Sequence, residues 1–161
     1  WRDDEQLMSR AGEFVLFHGT KADVVDDIVN EGFDARLNKR AMFGKALYMA
    51  DAASKSDEYT QPAGDGTRYM FVVRAVLGKP FVHSGDASSS RARQVARGQL
   101  LSLSQLEREP IDAVGEPCNS LVHVCGFVGG DNSQPYKHNE YMVYNNVAAY
   151  PAYVIEYKRR P

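Results

Sequence analysis

The chain predicts a mixed α+β fold, and three observations carry that prediction. Short apolar, β-branched or aromatic runs recur along the 161 residues, enough for seven or more strands. Helical spacing appears in only two or three short stretches. The alternating strand–helix–strand units of a doubly wound parallel sheet are missing. Length favours one domain, residues 1–161, large enough to bury a real core.

Glu13 to Phe17 (EFVLF) is an apolar run ended by His18-Gly19 and reads as a buried strand. Thr20 is the expected N-cap of a helix, with Asp23 as its acidic partner. Val24, Val25, Ile28 and Val29 form the apolar stripe of that helix, and Gly32 its C-terminal stop. After polar residues 34–39, Met42 to Ala50 reads as strand, and Asp51 as N-cap of a short helix through Ser56. Gln61 to Gly66 is a Pro/Gly-rich loop. Arg68 to Leu77 (RYMFVVRAVL) reads as a central strand closed by Gly78-Lys79-Pro80. Residues 84–117 are mostly polar, with room for a helix at Asp86 to Arg97 whose RARQVAR run reads as a solvated face. Ser120 to Val124, Glu140 to Tyr144 and Ala152 to Tyr157 read as strands, the last preceded by a Tyr150-Pro151 break.

Composition narrows the function. Hydrophobic residues make up 43% and charged residues 25%, as in a soluble globular protein, and the formal charge of -2 supplies no field for binding nucleic acid or an anionic membrane. No apolar run approaches the roughly 18 residues of a spanning helix. The chain starts at Trp1 with no initiator Met and no signal peptide, and reads as a piece of a longer, intracellular protein, nuclear or cytoplasmic. Cys118 and Cys125 flank His123 without the paired spacing of a structural zinc site, so two reduced thiols near a strand are expected and no metal. GxGxxG after a strand, GxxxxGK[ST] and GxSxG are all absent, which disfavours Rossmann dehydrogenases, P-loop NTPases and serine hydrolases.

Singly, the remaining candidates are modest. His18 follows a strand and precedes glycine, where side chains reach a cleft, yet such a histidine is more often a hydrogen-bonded structural one. Tyr48 and Tyr59 are two of nine tyrosines, whose default is packing with the hydroxyl satisfied. Glu140 opens EYMVY, and a carboxylate at a strand edge is usually solvated.

Their arrangement in blocks is more specific. FHGT, FGKALYMADAASKSDEYT and NEYMVYNNVAAYPAYVIEY, with YMFVVRAVLGKP between the last two, resemble in content and order the poly(ADP-ribose) polymerase catalytic domain, the diphtheria-toxin-like ADP-ribosyltransferases. The blocks span residues 14–32, 42–80 and 138–157. Ala46 and Met49 depart from the glycine and phenylalanine common in the second block, and residues 34–41 form a short counterpart of the loop that closes over NAD+.

The resemblance implies a mainly antiparallel fold of two packed sheets with a few short helices. It also implies NAD+ as co-substrate and protein acceptors for the ADP-ribose. His18, Tyr48 and Glu140 match the family's His-Tyr-Glu triad. By the same match Tyr59 stacks on nicotinamide, with Tyr48 on the opposite side. The Gly19 backbone and the Ser56 hydroxyl read the carboxamide. His18 and Thr20 contact the adenine-side ribose, and Glu140 accepts a hydrogen bond from the nicotinamide-ribose 2′-OH. Lys55 is either a helper that places Glu140 or the acceptor, or an ordinary exposed helix residue. The leading expectation is an ADP-ribosyltransferase able to extend poly(ADP-ribose). A mono-ADP-ribosyltransferase and a non-catalytic NAD+ or ADP-ribose binder are the alternatives. Contact with a membrane or direct binding of nucleic acid by this domain is not expected.

Overall fold

The computed structural model describes residues 12–38, 43–83, 118–124 and 138–160. They form a sheet of seven strands: β1 (Glu13–Thr20), β2 (Leu47–Ala50), β3 (Arg68–Val76), β4 (Pro80–His83), β5 (Ser120–His123), β6 (Glu140–Val143) and β7 (Ala149–Tyr157). Their spatial order is β4-β5-β6-β2-β1-β3-β7. All neighbours are antiparallel except β4 and β5, which run parallel from Pro80↔Ser120 to His83↔His123. Two short α-helices, α1 (Val25–Glu31) and α2 (Ala53–Asp57), and three 3₁₀ turns complete the described fold. The expected Asp86–Arg97 helix and Cys125 lie outside the described residues.

Sequence and packing agree best in β3. Phe71, Val73 and Ala75 point to one face and are fully buried, while Arg74 and Val76 between and beyond them are exposed. Alternation of this kind buries one side of a strand because successive side chains point oppositely. Leu16 of β1, Leu47 and Met49 of β2, Val143 of β6 and Phe33 complete this core. A second cluster of Phe43, Ala46, Leu121 and Met142 lies under the other half of the sheet.

The two halves are joined narrowly. β1 and β3 pair over eight residues, from Glu13↔Val76 to Thr20↔Tyr69. β2 and β6 pair along the whole of β2. Between β1 and β2 the ladder holds only Phe17↔Ala50. The strands are one hydrogen-bonded sheet, rather than the two packed sheets expected, but this single register pair leaves a seam between the halves.

Local details depart from expectation for physical reasons. β1 continues through Thr20, because the β3 partner Tyr69 keeps it in the ladder, so Thr20 is not a helix cap. Lys21 takes the position before the 3₁₀ turn Ala22–Val24 without any side-chain cap bond. Ala52, not Asp51, precedes α2, and the Asp51 carboxylate instead accepts bonds from Asn139 at 2.9 Å and Tyr141 at 3.2 Å. Residues 43–46 turn rather than extend, with Gly44 at φ 85°, a conformation that favours glycine, so the second strand begins at Leu47. Val29 is exposed, and Val25 is the buried residue of the α1 stripe. Gly32, at φ 83°, closes α1 as expected. Pro151 lies inside β7 rather than before it. β7 is an edge strand, and the register shifts at Val72/Val73 opposite Tyr153 and Pro151, a place where a missing N–H is tolerated.

Candidate functional site

The seam between the two halves opens into a cleft of about 480 Å³. Strand ends and α2 deliver its walls: His18 and Gly19 from β1, Tyr48, Met49 and Ala50 from β2, and Glu140 from the first position of β6. Lys55, Ser56 and Tyr59, with Asn38 and Phe43, complete the lining. Of Lys55 and the residues that the resemblance assigned to NAD+, only Thr20 is not in this lining. It is buried at the end of β1 and faces a second, adjoining groove of about 740 Å³. His18, Gly19, Asn38, Tyr48 and Tyr59 line both, so the cleft and the groove adjoin.

His18 bridges the seam. Its Nδ1 lies 2.8 Å from the Tyr48 carbonyl oxygen. A carbonyl only accepts, so Nδ1 carries the proton and Nε2 presents a lone pair when the ring is neutral. Burial pushes the His18 pKa below its ordinary value, and the bond to Tyr48 offsets only part of that. The ring is therefore neutral at pH 7. Phe33 packs edge-on against it, with centroids 5.2 Å apart at 72°.

Gly19 is required by contact. A Cβ built there would lie 1.8 Å from the Ser56 carbonyl oxygen, closer than any side chain tolerates. The approach of β1 to α2 is fixed further by Ser56, whose buried hydroxyl donates to the Phe17 carbonyl at 2.8 Å. The Ser56 proton is thus committed to the protein, while its oxygen keeps accepting capacity toward the cleft.

Tyr48 is anchored by the main chain of residues 43 and 44. Its hydroxyl accepts from the Phe43 N–H at 2.8 Å and donates to the Gly44 carbonyl at 3.1 Å. Tyr144 donates to the Phe43 carbonyl at 2.9 Å. Burial raises the pKa of both phenols, which stay protonated donors. Two tyrosines therefore clamp the Phe43–Gly44 turn that walls the cleft. Sequence reading did not single out Phe43 or Tyr144, although both sit within the quoted blocks.

Lys55, Glu140 and Tyr59 form the charged edge. The Lys55 Nζ is 3.7 Å from Glu140 Oε1 and 3.1 Å from Glu58 Oε2. It also lies 5.0 Å from the Tyr59 ring centroid, over the ring face. The Lys55 side chain is only 19% exposed, which excludes the solvated-helix reading. Burial works to lower its pKa, but Glu140, Glu58 and Tyr59 outweigh that and raise it, so the cation is secure. The Tyr59 hydroxyl lies 3.5 Å from Glu140 Oε1. Tyr59 is itself 58% exposed, a large aromatic face left open at the cleft mouth.

The turn carrying Tyr59 is fastened beneath. Asp57 accepts from the Tyr157 hydroxyl and pairs with Arg159 at 2.8 Å. Arg68 donates to the Thr60 carbonyl at 2.6 Å. Burial works to raise the Asp57 pKa, but the Tyr157 and Arg159 bonds hold it below the ordinary carboxylate value.

Among the described residues no group of three His, Cys, Asp or Glu side chains converges as a metal site. No described helix is long and apolar enough to cross a membrane. Cys118 is buried, and His123 is buried against Phe43.

A family model described as the poly(ADP-ribose) polymerase catalytic domain matches residues 2–159. The chain is 27% identical over 169 aligned positions to the poly [ADP-ribose] polymerase tankyrase of Caenorhabditis elegans, covering 96% of this chain and 7% of that protein. It is 33% identical over 78 positions to the protein mono-ADP-ribosyltransferase PARP10 of Mus musculus, covering 46% of this chain and 8% of that protein. The chain thus spans less than a tenth of the length of either relative. With the family model matched across nearly all of it, the chain belongs to the poly(ADP-ribose) polymerase catalytic domain family, whose members are ADP-ribosyltransferases that take NAD+ as co-substrate.

Proposed function

We propose that this domain binds NAD+ across the cleft and the groove, breaks the nicotinamide–ribose bond, and transfers ADP-ribose to a protein acceptor. One observation carries the reading most. His18, Gly19, Tyr48, Lys55, Ser56, Tyr59 and Glu140, which lie far apart in sequence, line a single cleft at the seam of the sheet.

The residue types suit the chemistry. Nicotinamide is a flat polar ring, and the open face of Tyr59 opposite Tyr48 offers stacking surfaces for it. The Gly19 main chain and the Ser56 oxygen stand where no Cβ intervenes and can hold the carboxamide. The neutral His18, with Nδ1–H fixed on Tyr48, presents Nε2 as acceptor to a ribose hydroxyl, and Thr20 continues that wall into the second groove. Cleavage sends the C–N bonding electrons to nicotinamide and leaves oxocarbenium-like positive charge on the ribose. Glu140 would accept the 2′-OH hydrogen bond there and stabilise that charge, an effect of about 3–4 kcal/mol by comparison with single preorganised groups in other sites.

Retention of Glu140 permits chain extension, since the same carboxylate can orient the hydroxyl of an acceptor ribose. We therefore favour poly(ADP-ribose) formation. Single transfer is the second reading, favoured by the likeness to a mono-ADP-ribosyltransferase over part of the chain. Incubation with labelled NAD+ followed by a denaturing gel separates the two. A ladder supports elongation and one discrete adduct supports single transfer. Absence of both adduct and free nicotinamide would overturn transfer itself.

A further inference from the structure

The second groove is bounded by a short segment that is hydrogen-bonded to one distant side chain. The 3₁₀ turn Ala35–Leu37 follows Asp34, and this stretch lines the groove. Asn146, in the turn between β6 and β7, accepts from the Ala35 N–H at 2.9 Å and reaches the Asp34 carboxylate with its amide nitrogen at 3.5 Å. Asp34 in turn grips Arg36 through Nε at 2.9 Å and Nη2 at 2.8 Å. Ala35 is buried, so without Asn146 its N–H would lack that partner inside the protein.

We propose that Asn146 is a positioning residue for the far end of the dinucleotide, setting affinity for the ADP-ribose portion without affecting the nicotinamide pocket. This rests on the NAD+ reading of the cleft and the groove. The first cleft is lined by His18, Gly19, Ser56, Tyr59 and Glu140 but not by Asn146 or residues 34–37. The second groove is lined by Asn146 and by that whole segment. A ligand confined to the cleft meets this segment only through Asn38, whose N–H donates to the Ala35 carbonyl at 3.2 Å, whereas one reaching into the groove meets the whole of it. Asn146 is only half-buried and lies outside the hydrophobic core. Its amide is chemically suited to the task, offering one acceptor to the Ala35 N–H and one donor to a carboxylate.

The test measures nicotinamide and ADP-ribose affinity by calorimetry, and KM and kcat for NAD+, in the wild type and in Asn146→Ala. The expected result is ADP-ribose affinity lowered about tenfold and KM raised about tenfold, with nicotinamide affinity and kcat within about twofold. Asn146→Asp keeps an acceptor for Ala35 N–H but loses the amide donor and faces Asp34, and is expected to fall between the two. It serves as the variant of record if Asn146→Ala does not fold. Unchanged ADP-ribose affinity in the folded variant would overturn the proposal. So would an equal fall in nicotinamide affinity, which would mark general loosening. If the wild type binds neither nicotinamide nor ADP-ribose, the NAD+ reading falls first and takes this inference with it.

Discussion

The Lys55 ammonium lies 3.7 Å from the Glu140 carboxylate, with both side chains less than one-fifth exposed. It therefore stands between Glu140 and the more exposed Glu58, whose side chain is 60% exposed. Water screens the Glu58 arm, so the Glu140 arm is the one whose geometry the protein controls. Lys55→Met is expected to lower kcat for nicotinamide release about tenfold, equivalent to roughly 1.4 kcal/mol of barrier. Glu58→Gln should stay within about twofold. Equal losses in both variants would show that the Glu58 arm positions the lysine as much as the Glu140 arm does.

Glu140 itself carries the heavier expectation. Glu140→Gln keeps the shape and some hydrogen-bonding ability but removes the charge that the proposed mechanism sets against the ribose. Nicotinamide release should fall about 100- to 1000-fold, with NAD+ affinity changed by no more than about threefold. Steady-state release and equilibrium binding, measured on the same preparation, check both parts. Wild-type rates in the variant would remove Glu140 from the chemistry.

Gly19→Ala tests the close approach of β1 and α2. The new Cβ meets a backbone oxygen, which cannot swing aside as a side-chain tip could. Either β1 or α2 must shift, at a cost of about 1–3 kcal/mol or more. Thermal unfolding should show a lowered Tm, and a nicotinamide-sized benzamide should no longer raise it. A variant with unchanged Tm and a full ligand-induced shift would mean the approach is looser than the geometry indicates.

The depressed pKa of His18 gives stability a definite pH dependence. The unfolded chain protonates this histidine near its ordinary value of about 6.5, whereas the folded protein resists until lower pH. Below about pH 6.5 the unfolded state thus binds more protons, and folding loses stability as pH falls toward the folded-state pKa. The contribution is fully present above pH 6.5. Tm measured from pH 7.5 to 5 should decline more steeply in the wild type than in His18→Gln. Parallel profiles would assign the decline to other groups.

Tyr48→Phe removes the hydroxyl that serves both Phe43 N–H and Gly44 C=O. Losing these two bonds to part-buried main-chain groups should cost about 1–3 kcal/mol, read as a lower Tm. Tyr144→Phe breaks only the bond to the Phe43 carbonyl and should cost less. In both variants the ring remains, so an aromatic wall persists and nicotinamide binding should weaken less than stability does. The reverse pattern would place the Tyr48 hydroxyl directly on the ligand rather than on the turn.

Much of this molecule is legible along the chain. The apolar runs of β1, β3, β5 and β6 mark strands because a half-buried strand must alternate or run apolar, whatever its partners. His18, Tyr48 and Glu140 stand in recognisable blocks because each occupies a strand position next to the residues that shape its surroundings. Capping was less legible. Thr20 and Asp51 are good caps in isolation, but the ladder to Tyr69 claims one and Asn139 and Tyr141 claim the other. β4 escaped notice because its four residues earn their place only by pairing with β5, a partner remote in sequence.

The sequence alone determined the catalytic-domain family, the strand-rich α+β class and the candidates His18, Tyr48 and Glu140, since these depend on residue types in order. The tertiary structure decided what the order cannot express. It set β1 beside β2 at a single register pair, so that His18, Tyr48 and Glu140 line one cleft at a seam. It turned Lys55 inward, committed the Tyr48 hydroxyl to a turn, and brought Asn146 to Ala35 across most of the chain. Each of these is a contact between distant segments, and its energy exists only after the sheet has closed the distance.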